Sequence, residues 1–87
     1  MDELWFASFK EKLDEVHRWP SVYMFKFIVP AGKEKELKEL FAREVTSVRL
    51  SRQGRYSSLT MSLMMDSSDS VIAVYRRAAQ VQGLIAL

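Results

Sequence analysis

The apolar positions of this chain change period several times, and each change marks an element. Residues 3–17 carry Trp5, Phe9, Leu13 and Val16 at helical spacing, with Lys10, Glu11, Lys12, Asp14 and Glu15 on the remaining surface, so the spacing predicts an amphipathic helix. Trp19-Pro20 closes it, because the residue before proline is pushed toward extended geometry. Residues 21–29 then read as a strand of β-branched and aromatic residues. Alternation places Tyr23, Phe25, Phe27 and Val29 on one face, and Val22, Met24, Lys26 and Ile28 on the other. Apolar character on both faces suits a central strand, and Lys26 leaves one face incompletely sealed.

Pro30-Ala31-Gly32 is a turn. Residues 33–44 predict a second helix with Leu37, Leu40, Phe41 and Val45 along its stripe. The charged remainder offers i, i+4 pairs such as Glu34–Lys38 and Glu39–Arg43. Residues 45–51 predict a strand through Val45, Val48 and Leu50. Arg52-Gln53-Gly54 reverses the chain, and Gly54 supplies the positive φ of a tight hairpin. Residues 55–65 return with clean alternation. Leu59, Met61, Leu63 and Met65 face one side, and Tyr56, Ser58, Thr60 and Ser62 the other, as in a half-buried antiparallel strand. Asp66-Ser67-Ser68-Asp69 opens a last helix with capping side chains and an acid at its positive end. Val71, Val74, Tyr75 and Ala78 form its stripe, Arg76 and Arg77 suit its negative end, and Gly83 is its expected stop. Leu84 to Leu87 ends as a short strand.

The order is a helix followed by β-α-β-β-α-β. We expect an α+β, ferredoxin-like sandwich: a four-stranded antiparallel sheet in the order 4-1-3-2, with two helices on one face. Residues 1–19 are read as an amphipathic extension and 20–87 as the domain. The extension has two candidate positions, on the sheet or against a partner.

Composition narrows the chemistry. Eighty-seven residues make one small domain, and 48% apolar residues are enough for a thin core. With no cysteine there is neither a disulfide nor a thiolate site, and a reducing, cytoplasmic setting is expected. The single histidine, His17, cannot assemble a histidine-based metal site, and the serines show no evident base. We expect no catalytic residue, no metal and no cofactor. The apolar runs are too short to span a membrane.

Charge is distributed unevenly. Residues 1–42 have a net charge of −1 and residues 43–87 a net charge of +3, and every cation in the second half is arginine. Arginine favours bidentate contact with planar anions. The hairpin residues Arg49, Ser51, Arg52, Gly54, Arg55, Tyr56 and Ser58 are therefore the candidate surface for a carboxylate, a phosphate or an acidic protein patch. Purely structural roles compete with it: a turn glycine, a packing tyrosine and a satisfied strand face. The methionines Met61, Met64 and Met65 read first as core filling, and second as an adaptable surface.

The stretch Ser51-Arg52-Gln53-Gly54-Arg55-Tyr56-Ser57-Ser58-Leu59-Thr60 resembles the YbeD-like family, a bacterial domain family of unknown function. Ser51, Gly54, Tyr56, Ser58 and Thr60 fall on its Ser-x-x-Gly-x-Tyr-x-Ser pattern and the alternating strand after it. Phe25 to Pro30, the Val74-Tyr75 helix and the ending from Gly83 to Leu87 are similar too, so the resemblance covers about residues 20–87. Gln53 departs from the pattern, at a position where lysine is frequent. The resemblance implies a ferredoxin-like fold akin to ACT regulatory domains, and no established activity.

Three functions follow as expectations. The first is a non-catalytic regulatory or protein-interaction module. The second is an ACT-like metabolite sensor that forms a homodimer through its sheet edges and binds a small anionic ligand, with Pro30-Ala31-Gly32 as a faint echo of the ACT glycine loop. The third is a weak nucleic-acid binder. Recognition of RNA on such sheets needs aromatics along the central strands, where this chain has Tyr56 followed by Ser58, Thr60 and Ser62.

Overall fold

The computed structural model describes residues 2–41, 47–51 and 53–87. The elements are α1 (Glu3–Val16), β1 (Ser21–Pro30), α2 (Glu34–Leu40), β2 (Ser47–Leu50), β3 (Tyr56–Met65), α3 (Ser68–Ala78) and β4 (Ile85–Ala86). The four strands make one antiparallel sheet in the order β2-β3-β1-β4, which is the expected 4-1-3-2 read from its other edge. The fold is α+β and ferredoxin-like, with an additional helix at the amino end.

The central pair carries the sheet. β1 and β3 run side by side from Ser21↔Met65 to Pro30↔Tyr56. Directly opposed residues share a face, so Phe25, Phe27 and Val29 join Leu59 and Met61 beneath the helices, all fully or almost fully buried. Leu37, Phe41, Val71, Ile72, Tyr75 and Ala78 complete the same core. Among the methionines of β3, Met61 and Met65 fill the core, whereas Met64 lies on the opposite, exposed face.

The amino-terminal helix differs from its predicted frame. Phe6 and Leu13 are buried and Phe9 half-buried, while Trp5 and Val16 remain 41% and 77% exposed. The helix lies on α3 and leaves the open face of the sheet uncovered. Glu3 takes a bidentate contact from the Arg76 guanidinium, both distances 2.7 Å, and the same guanidinium sits 4.2 Å above the Phe6 ring. Two turns further along, Lys10 donates to Asp69 at 2.9 Å and to the buried Ser68 hydroxyl at 3.1 Å. Between these ion pairs, Trp5 and Phe9 pack edge-on against Tyr75. The Tyr75 hydroxyl is 3.1 Å from that of Tyr23, and burial followed by this hydrogen bond pushes its pKa far above the ordinary phenol value.

Other boundaries shift for local reasons. α2 ends at Leu40, with Phe41 as its C-cap and its ring in the core. The rest of the predicted helix, Val45 and the start of the predicted strand fall at 42–46, outside the described residues. α3 is capped by Ser67, whose hydroxyl accepts from the Ser70 N–H, while the Ser70 hydroxyl accepts from the Ser67 N–H. Asp66 therefore precedes the cap, and Asp69 sits in the first turn, where it meets Lys10. Ile72 belongs to the buried stripe of α3, and Val74 is only half-buried.

Gly83 does not stop α3, which ends at Ala78. Gly83 has φ +81°, and a Cβ there would stand 2.8 Å from the Pro30 Cγ. Glycine at this point lets the chain pass the end of β1 on its way into β4.

Candidate functional site

The hairpin between β2 and β3 is built by short-range hydrogen bonds. Ser51 donates its N–H to the Tyr56 carbonyl at 2.7 Å, and its hydroxyl accepts from the Tyr56 N–H at 3.2 Å. Its carbonyl accepts from the Gly54 N–H at 2.9 Å, which closes a four-residue turn. Gly54 has φ +71°, with open space where a Cβ would stand, so its role is conformational. Ser51 is thus a turn anchor first, and its remaining hydrogen-bonding capacity faces solvent.

The strand register decides which predicted residues converge. Arg49 opposes Ser58 on β3, Ser58 opposes Ile28 on β1, and Ile28 opposes Ile85 on β4. These four residues form one row across the whole sheet, on the face turned away from the helices. Tyr56 lies two residues from Ser58 on the same face, opposite Pro30. Together Arg49, Ser51, Tyr56 and Ser58 line a concavity of about 490 Å³, completed by Ile28 and Leu50. A guanidinium, two aliphatic hydroxyls and a phenol thus ring a partly apolar floor, and no carboxylate among the described residues lines it. Such a set is suited to a planar anion attached to an apolar group.

Arg55 stands apart. It lines a neighbouring depression with Gln53, Ser51 and Tyr56, and its carbonyl accepts from the Ala31 N–H at 2.8 Å, tying the hairpin to the end of β1. Arg52 lies outside the described residues. The sequence pattern therefore located four members of the concavity and missed Ile28 and Leu50. Ile28 was legible as an outward residue of the first strand, but only the register shows that it meets Arg49 across β3. Leu50 reads from sequence only as a residue of the second strand, and on that short edge strand it is exposed.

A second polar arrangement lies behind the hairpin. Ser57 is almost fully buried, and its hydroxyl donates to Glu34 Oε1 at 2.6 Å. The same carboxylate accepts from the Gly32 N–H at 2.9 and 3.2 Å. The Ser57 hydroxyl, then the backbone donors, hold the Glu34 carboxyl below the usual glutamate range. Glu34 therefore turns toward Ser57 and Gly32 and fastens the turn after β1 onto the start of β3, and the predicted Lys38 adds only a weaker attraction.

His17 ends α1. Its ring stacks on Trp19 at 5.2 Å and meets Tyr23 edge-on at 5.5 Å. Among the described residues, no three His, Asp or Glu side chains gather where they could hold a metal ion. No helix among them is long and apolar enough to cross a membrane.

A family model described as Protein of unknown function (DUF493) matches residues 14–86, which take in every strand of the sheet, α2 and α3. The chain belongs to this family. Comparison with curated proteins and with solved structures gives no match.

Proposed function

We propose that this DUF493 chain is a non-catalytic interaction module that grips a carboxylate or phosphate of a partner protein at the hairpin. The observation that carries the reading is the convergence of Arg49, Ser51, Tyr56 and Ser58 on one concavity that no carboxylate among the described residues lines. The YbeD-like motif at Ser51, Gly54, Tyr56 and Ser58 fits the same reading, since three of its four residues line that concavity and the fourth makes its turn.

The alternatives have weaker support. A metabolite sensor of the ACT kind would use backbone donors of the glycine loop after β1, and here the Gly32 N–H is already taken by Glu34. Stacking of bases would need aromatics along β1 and β3. On the open face these strands present Met24, Lys26 and Ile28 beside Ser58, Thr60 and Ser62, with Tyr56 at one end. Catalysis would need a nucleophile or base in a site, and the Ser57–Glu34 pair is occupied in joining two turns.

The test is capture from nuclease-treated native extract, with the intact protein beside an Arg49→Ala/Tyr56→Ala variant, read by quantitative mass spectrometry. The expected result is a stoichiometric protein partner captured by the former and lost by the latter. Capture that survives the double substitution removes the hairpin from the interface. Thermal stabilisation by a small carboxylate metabolite, with no protein captured, would favour the sensor instead.

A further inference from the structure

The open face of the sheet extends well beyond the hairpin, and its pattern is specific. Val22 and Met64 oppose each other at one end, with Met24 beside Ser62. Lys26 and Thr60 occupy the middle. Ile28 and Ile85 lie at the other end, in the row that begins with Arg49. Met24 and Met64 are 63% and 65% exposed, unusually open for methionines of the two central strands. Along β1 the face therefore reads apolar, cationic, apolar. Its charged side chains among the described residues are Lys26 and Arg49, both cations.

We infer that this face receives an acidic amphipathic helix of another protein, whose contacting stripe reads apolar, carboxylate, apolar. The inference rests on the reading of the chain as an interaction module and specifies what such a partner presents. Three arguments lead to it. Among the described residues the face has cations and no carboxylate, so complementarity asks for an acid opposite Lys26 with apolar groups on either side. A second copy of this chain, related by a two-fold axis through the middle of the face, would bring Lys26 against itself out of water, an unpaired like-charge contact. A phosphate backbone would satisfy Lys26 and Arg49 and leave Val22, Met24 and Met64 against charge.

The form of the partner follows from the backbone. The N–H and C=O groups of β1 and β3 point along the plane of the sheet, so an extended peptide lying on the face would find no partners for its main chain. A helix satisfies its own. The run from Val22 to Ile28 is about 20 Å long at ~3.3 Å per residue. A helix of about 13–14 residues covers it at ~1.5 Å per residue.

The test uses fluorescein-labelled amphipathic peptides of about 14 residues. One has a leucine–glutamate–leucine stripe, and its counterpart has lysine at the central position. Fluorescence anisotropy against the full chain is expected to show saturable binding, about tenfold tighter for the glutamate peptide. Lys26→Glu should reverse that preference, and Met24→Ser/Met64→Ser should weaken both peptides by about tenfold or more. All these positions are on an exposed face, and circular dichroism verifies that the variants fold. The inference is overturned by absence of saturable binding or by a preference that Lys26→Glu leaves unchanged. It is equally overturned if labelled oligouridylate binds this face in place of the peptide, or if sedimentation reveals a dimer that Met24→Ser/Met64→Ser dissolves. Peptide binding that Arg49→Ala/Tyr56→Ala leaves intact, with no hairpin-dependent capture from extract, would keep the sheet face and overturn the hairpin. Hairpin-dependent capture without peptide binding would do the reverse.

Discussion

Glu34 shows how one carboxylate joins two parts of the fold. Its side chain accepts hydrogen bonds from the Ser57 hydroxyl and the Gly32 N–H, so the end of β1 and the start of β3 are fixed by a single group. Because its folded pKa lies below the ordinary 4.5, the stabilisation is complete above that value and disappears as pH falls through the folded pKa. Urea unfolding of the parent and Glu34→Gln proteins should therefore differ at neutral pH and converge in the acid range, below the ordinary glutamate pKa. A difference that stays constant across that range would mean the charge plays no part. Ser57→Ala should cost about 1.5 kcal/mol at neutral pH, the low end for a hydrogen bond to a charged group, since Glu34 is partly in solvent. None of this was legible in sequence. Helical spacing offers Glu34 a Lys38 partner four residues on, whereas Ser57 is 23 residues away, and only the closed sheet brings it near. The opposite holds for Ser51 and Gly54, whose roles are local and could be read directly from the turn.

At the scale of elements, legibility tracks how narrow the apolar stripe is. β3 alternates strictly and its buried face is the predicted one, whereas β1 is apolar on both faces and Lys26 marks the face left open. α1 has Leu4, Trp5, Phe6, Phe9, Leu13 and Val16, enough apolar residues for two overlapping frames. Phe9 and Leu13 belong to both, and the choice between Trp5 and Phe6 is made by α3, whose Arg76 and Tyr75 lie where Phe6 and Phe9 pack. This assignment predicts unequal effects of truncation. Leu13→Ala should destabilise the chain by about 2–3 kcal/mol, as a buried leucine does. Val16→Ala, at an exposed position, should stay within about 0.5 kcal/mol. Equal losses at the two positions, measured by denaturant melts, would restore the frame read from spacing. The Glu3–Arg76 and Lys10–Asp69 pairs are exposed at the surface and orient α1 more than they hold it.

For the molecule as a whole, the sequence's charge asymmetry does not become two lobes of opposite sign. The acidic first half and basic second half are interleaved by α1 on α3, where Glu3 meets Arg76 and Lys10 meets Asp69. What survives as a field is the cationic open face, with Lys26 from the first half and Arg49 from the second. Shape reinforces it. The backbone radius of gyration is 13.2 Å and the longest axis 37 Å, against the ~12 Å expected of a rounder chain of this length. The excess follows from the ten-residue strands β1 and β3, each about 33 Å long when extended. Their outer surface is an elongated strip with a lysine near its centre, which opposes pairing of two copies face to face. Small-angle scattering over a range of protein concentrations should therefore return the 10.1 kDa mass of one chain and a radius of gyration close to the backbone value. A doubled mass that Lys26→Met strengthens would show that copies pair on this strip and that lysine limits the pairing. An unchanged single-chain mass in both proteins would leave the strip open for a different partner.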